Sequence, residues 1–162
     1  MDKSNLKPGY LRRIKSLALL NDERLVAFLD YVEVVTCGSS ETLFREGQPG
    51  DSMFLILEGE MRVYIKTKRG EVLFLRMLEA GDAFGEVALL NQGPRSASVE
   101  AVQKSVLIKI TSASLQKLVL EQPAVAAQFL HHLAKTVGRQ LSDLTKKLRA
   151  KTEQPDMLSF LQ

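Results

Sequence analysis

Met53-Phe54-Leu55-Ile56-Leu57-Glu58-Gly59-Glu60-Met61-Arg62-Val63-Tyr64-Ile65-Lys66 reads as two strands hinged at Glu58-Gly59. Met53–Leu57 is an unbroken apolar run of strand length, and Met61–Lys66 is rich in apolar, aromatic and β-branched residues. The same texture continues on both sides. Val32–Val35 and Thr42–Phe44 precede it, and Val72–Met77, Ser96–Val102 and Ser105–Ile110 follow. Between the runs lie turn-forming stretches: Cys37-Gly38-Ser39-Ser40, Gly47-Gln48-Pro49-Gly50-Asp51, Lys68-Arg69-Gly70 and Glu79-Ala80-Gly81-Asp82. Seven or eight short, closely spaced strands with no long helix among them predict an antiparallel sandwich or barrel. Gly47, Gly50 and Gly59 read as turn glycines at positive φ.

Helical spacing brackets this β-run. Leu11, Ile14, Leu17, Leu20, Leu25, Phe28 and Leu29 predict two short helices with an offset at Asn21-Asp22, either of which can cap the second. Downstream, a helix from about Ser112 to Glu121 stops ahead of Pro123, which suits the first turn of the next helix. From Ala124 to about Arg149, Phe129, Leu133, Val137, Leu141, Leu144 and Leu148 keep one apolar stripe for about seven turns, more than a barrel of this size covers. The first half is expected to close over the barrel and the second to pack on its counterpart in another copy, giving a homodimer. The division expected is 1–24 as an N-terminal helical segment, 25–150 as the domain proper and 151–162 as a flexible tail in which Met157, Leu158, Phe160 and Leu161 are docking candidates.

Composition narrows the function classes. With 162 residues, the chain has room for one domain, and 45% apolar against 25% charged residues is ordinary for a globular protein. A net charge of +3 is too mild to argue for a polyanionic partner. One cysteine, Cys37, excludes an internal disulfide and cysteine-rich metal sites, and reads as a small buried apolar residue. The sequence has no run long and apolar enough for a membrane span and no signal-peptide core, so a cytoplasmic location is expected. His131 and His132 are adjacent on a helix and cannot chelate one ion as an i, i+4 pair does. Metal chemistry of the kind other barrels host lacks its ligands, and no base and nucleophile pair suggests hydrolysis, so no enzyme activity and no cofactor are expected.

One stretch departs from barrel composition: Phe84-Gly85-Glu86-Val87-Ala88-Leu89-Leu90-Asn91-Gln92-Gly93-Pro94-Arg95-Ser96-Ala97-Ser98-Val99. Gly85 allows a close backbone approach, and Glu86–Leu90 fits one or two helical turns whose first N–H groups favour an anion. Gly93-Pro94 turns the chain and sets Arg95 before the next strand, near the amides of Ser96 and Ala97. A guanidinium donates two parallel hydrogen bonds to one phosphate, which a lysine cannot. Glu86, acceptor-only, suits a sugar hydroxyl and must face away from the phosphate. Anion and hydroxyl acceptor together describe a sugar phosphate or nucleotide. A surface ion pair is the usual fate of such residues, but the surrounding stretch argues against it here.

This segment resembles the phosphate-binding cassette of the cyclic nucleotide-binding domain, found in catabolite-activator-type regulators, protein kinase regulatory subunits and nucleotide-gated channels. A second signature agrees: Gly47-x-x-Gly50-x-x-Met53-Phe54-Leu55-Ile56-Leu57-Glu58-Gly59 is similar to the family's turn and strand upstream of the cassette. The resemblance extends from about Leu25 to Leu148 and implies an antiparallel β-roll or jelly-roll barrel, a double-stranded β-helix, with N-terminal helices and a long C-terminal helix. It implies that Arg95 binds the phosphate, Glu86 the ribose 2′-hydroxyl and Gly85 the sugar through its backbone. The amides of Ala88 and Ala97 and the Ser96 hydroxyl would complete the cradle, with Val87 inside the same segment. Ser96, where cyclic GMP binders often carry threonine, leans the expectation to cyclic AMP, with cyclic GMP the alternative. Arg139 or Gln140, on the last helix, would meet the base.

Relatives that regulate transcription carry a helix-turn-helix domain after the long helix, and about a dozen residues follow it here, which argues against direct DNA binding. The expected output is a downstream protein partner of unknown identity, or, in a fragment, a missing DNA-binding, channel or kinase unit. Lys135, Arg139, Lys146, Lys147, Arg149 and Lys151 against Asp143 read mainly as a solvated basic face that suits the helix C-terminus. Gly138 inside the helix suits either a close helix contact or a hinge.

Overall fold

The computed structural model describes residues 6–152, with the side chains of 151 and 152 outside the description. The tail residues Met157, Leu158, Phe160 and Leu161 therefore lie outside the described residues. In chain order the elements are α1 (Pro8–Leu11), α2 (Asp22–Leu29), β1 (Glu33–Cys37), β2 (Thr42–Phe44), β3 (Ser52–Glu58), β4 (Glu60–Lys66), β5 (Val72–Glu79), β6 (Ala83–Phe84), α3 (Glu86–Asn91), β7 (Ser98–Ala101), β8 (Ser105–Thr111), α4 (Ser112–Glu121) and α5 (Pro123–Thr152). The eight strands form two four-stranded antiparallel sheets, ordered β1-β8-β3-β6 and β2-β7-β4-β5. This is the β-roll with terminal helices that the resemblance implies.

β3 explains how the layers assemble. Phe54 and Ile56 point between the sheets into a cluster with Cys37, Met61, Val63, Leu78, Phe84 and Val99. Met53, Leu55 and Leu57 point the other way, into a cluster shared with the helices. A strand buried on both faces needs no polar alternation, hence its continuous apolar run. The Gly59 turn that follows has φ +94, and an added Cβ there would meet Ser105, so the β3–β4 reversal requires glycine.

The N-terminal segment differs from expectation for a legible reason. A helix through Leu20 is replaced by the short α1 and a chain of tight turns, in which the amides of Arg13, Ile14, Leu17 and Leu20 each donate to the carbonyl three residues back. Leu11, Ile14, Leu17 and Leu20 recur at intervals of three alone, which lines them up in i→i−3 turns and not on an α-helix. All four are buried in the helical cluster. In α2 it is Asn21 that caps, accepting the Arg24 amide at 2.9 Å. β6 was not apparent in the sequence because it is two residues long. β7 begins at Ser98 and leaves Ser96 and Ala97 in the connection.

Pro123 opens α5 as expected, and Gln122 breaks the path from α4 with φ −134 and ψ 61. Val125, Ala126, Phe129 and Leu133 are buried against the helical cluster, with Phe129 5.3 Å from the Phe28 ring centroid. Leu141, Leu144 and Leu148 are exposed. Residues 151 and 152, expected in the tail, continue the helix.

Candidate functional site

The β6–α3 connection and the turn before β7 meet at the mouth of the barrel. Gly85, at φ +84, starts α3, and the Leu89 amide donates to the Gly85 carbonyl. The amides of Glu86, Val87 and Ala88 thus lie ahead of the first helical hydrogen bond. Across the opening, the Arg95 amide donates to the Gln48 carbonyl and the Gly47 amide to the Arg95 carbonyl, pinning the residue on a doubly bonded turn.

Arg95 is 7% exposed. Its Nη1 donates to the Ser52 carbonyl and its Nη2 to the Ser52 hydroxyl at 2.9 Å. The guanidinium lies 4.1 Å from the centroid of the Phe44 ring and 5.6 Å from that of Phe54. Among the described residues it forms no ion pair with a carboxylate. Burial lowers its pKa, and the nearby Asp51 charge opposes that. A buried cation held by a hydroxyl, a carbonyl and an aromatic face, with no carboxylate on it, is costly unless an anion completes it.

The glycines around it are cut to fit. A Cβ on Gly85 would stand 2.9 Å from Arg95 Nη1 and 3.1 Å from the Ser52 carbonyl oxygen. On Gly50 it would stand 2.5 Å from Arg95 Nε. Gly47 and Gly59 have positive φ as expected, but Gly50 does not, and its role is to leave room for the guanidinium. The sequence offered no signal to separate these two uses of glycine.

Gly85, Glu86, Val87, Ala88, Arg95, Ser96 and Ala97 all line one cleft, together with Phe44, Phe84 and Arg76. Arg139 and Gln140 do not enter it. They line an adjoining cleft between α5 and the β5–β6 region, which shares Glu86 and Arg76 with the first. The first holds about 70 Å³ of free space and the second about 470 Å³. Ligand pockets usually enclose roughly 300–1,000 Å³, so the first fits the charged end of a ligand and the second its bulk. Glu86, at the junction, is buried, and among the described residues its carboxylate has no hydrogen-bond or ion-pair partner. In the larger cleft, burial pushes the Asp82 carboxyl up, but hydrogen bonds from the Glu79 amide and Lys15, with the charge of Arg76, outweigh it and hold the group below its ordinary range. Arg76 was not singled out in the sequence, because a charged residue inside an apolar run reads as a solvated edge position.

A model of the cyclic nucleotide-binding domain matches residues 34–122, more than half of the chain. The chain belongs to the cyclic nucleotide-binding domain family. The cyclic AMP receptor protein of Thermus thermophilus is 29% identical over 141 residues, covering 87% of this chain and 60% of that protein. The crystal structure of the Thermus thermophilus catabolite activator protein superposes with a TM-score of 0.77 at 26% identity, covering 85% of this chain and 62% of that one. Isozyme 1 of the Drosophila melanogaster cGMP-dependent protein kinase is 36% identical over 100 residues, which is 60% of this chain and 13% of the kinase. The chain thus spans less than two thirds of each of these relatives. Among the described residues no helix is long and apolar enough to cross a membrane.

Proposed function

We propose that this domain is a ligand sensor with no chemistry of its own, which binds a 3′,5′-cyclic nucleotide across the two clefts and converts binding into a shift of α5. The observation that carries the reading is Arg95, a buried guanidinium with no carboxylate partner among the described residues, beside Glu86, a buried carboxylate with no partner of its own. A cyclic phosphodiester offers one negative charge for the first and a ribose hydroxyl for the second. The amides of Ala88 and Ala97, the Ser96 hydroxyl and the Gly85 backbone surround the phosphate position. The base extends into the larger cleft towards Arg139 and Gln140. Ser96 in place of threonine favours cyclic AMP over cyclic GMP.

A ligand touching both clefts contacts α5 and the barrel at once, so it favours the helix position that makes both contacts, and only by its difference in affinity for the two positions. Glu121-Gln122-Pro123 serves as the hinge, since the non-helical Gln122 lets α5 turn without unwinding α4. The exposed Leu141, Leu144 and Leu148 continue the Val137 stripe at coiled-coil spacing and form a seam for a second copy. An added Cβ at Gly138, beside that seam, meets nothing within 4 Å in the single chain, which suits close helix approach in a dimer. The output passes to a protein partner.

Isothermal titration calorimetry with cyclic AMP tests the ligand. Arg95→Ala should weaken binding by roughly 2–4 kcal/mol, about 30- to 1,000-fold, because the phosphate would be desolvated without a charged partner. Near-normal affinity in the variant would reject the assignment.

A further inference from the structure

The outward face of the β4–β5 hairpin is apolar along one strand and charged at its two ends. Met61 and Val63 of β4 are buried between the sheets, so the alternate residues Arg62, Tyr64 and Lys66 face outward. Their directly opposed partners on β5 are Met77, Phe74 and Val72, which share that face. The spacing of three between Phe74 and Met77 comes from the shift in pairing between Val63 and Tyr64, which sets Arg76 opposite the inward Val63 and leaves Met77 outside. Val72 is 63% exposed, Phe74 54% and Met77 42%, on the edge strand of a four-stranded sheet. Monomers rarely leave a row of large apolar side chains uncovered on an edge strand.

The charges at the ends say what covers this face. At one end Glu60 and Glu79 stand directly opposite each other, a like-charged pair that costs stability unless cations reach it. At the other end Lys66, Lys68 and Arg69 are exposed. Among the described residues none of these five side chains makes an ion pair, whereas Arg62, between the ends, is neutralised by Glu100 at 2.7 Å. Glu60 and Lys66 are the first and last residues of β4, about 20 Å apart at 3.4 Å per residue. We infer that this face packs on the same face of a second copy, with the two hairpins antiparallel about a two-fold axis near Phe74. That arrangement sets the basic end of each copy against the Glu60 and Glu79 pair of the other, twice over, and buries the two apolar rows between them. A parallel arrangement would bring like charges together, and an anionic surface would suit the basic end and repel the acidic one. The contact is independent of any ligand and separate from the α5 seam, so a chain that uses both assembles beyond a dimer.

Light scattering of the full chain carrying Leu141→Lys and Leu144→Lys, which disable the α5 seam, isolates this contact. That parent should have the mass of two chains, and adding Phe74→Lys with Met77→Lys should reduce it to one. Two charge variants of the same parent separate a lost contact from a lost fold. Lys66→Glu, Lys68→Glu and Arg69→Glu together make both ends acidic, and Glu60→Lys with Glu79→Lys makes both ends basic. Each variant alone should have the mass of a single chain. An equimolar mixture of the two should recover the mass of two chains, because opposite ends then meet again. A parent with single-chain mass, a charge variant that keeps the two-chain mass by itself, or a mixture that stays at single-chain mass would overturn the inference.

Discussion

The two halves of α5 carry the same apolar stripe and meet different surroundings. In the first, Val125, Ala126, Phe129 and Leu133 are buried against α2, α4 and β3 residues. In the second, Leu141 is 63% and Leu144 54% exposed. Periodicity records that a face must be covered, and it is silent about what covers it. The change falls between Leu133 and Leu141, where the larger cleft opens and His132, Thr136, Arg139 and Gln140 replace core contacts. A helix packed at one end, exposed at the other and bordered at the change-over by a cleft is the arrangement that the proposed response to ligand requires.

The contrast can be broken at its anchored end first. Phe129→Ala removes a fully buried ring tilted against that of Phe28 and should cost about 3–5 kcal/mol, a fall in melting temperature of roughly 6–20 °C by scanning calorimetry. A shift of under about 3 °C would mean that α5 is not held by this core. At the other end, Leu141→Lys with Leu144→Lys should change the stability of the single chain by no more than about 0.5 kcal/mol each, yet halve the mass seen by light scattering. An unchanged mass would remove the seam from the account.

The smallest effect sits at the boundary. Burial lowers the His132 pKa, helped by the charges of Arg139, Lys135 and His131. Below the ordinary histidine pKa of about 6.5 the unfolded chain then binds more protons than the folded one, so His132 costs stability as pH falls from 7.5 to 5.5. The melting temperature of His132→Asn should fall less over that interval than that of the unaltered chain, and an identical fall would place the imidazole in full solvent.

Much of this was legible in the residues. The strands were, because β-branched runs and turn glycines punctuate each other, and so was the grouping of Gly85 to Ala88 with Arg95 to Ala97, because a loop and a turn flanking one helical turn must converge. Three features were not. The N-terminal turns share their apolar residues with a helix and differ from it only by a strict spacing of three. Gly50 looks like a turn residue, and its function appears only when the Arg95 side chain is laid against it. Arg76 depends on strand parity: the pairing shifts between Val63 and Tyr64, so that Arg76 and not Leu75 stands opposite Val63, and no sequence pattern marks that irregularity.

A crystal structure grown in excess 3′,5′-cyclic nucleotide tests the central claim most directly. The account predicts the phosphate oxygens within hydrogen-bonding distance of the Arg95 guanidinium, a ribose hydroxyl on Glu86 and the base in the cleft beneath α5. A cleft left empty, or filled by the chain's own side chains with the guanidinium still committed to Ser52 alone, would contradict it.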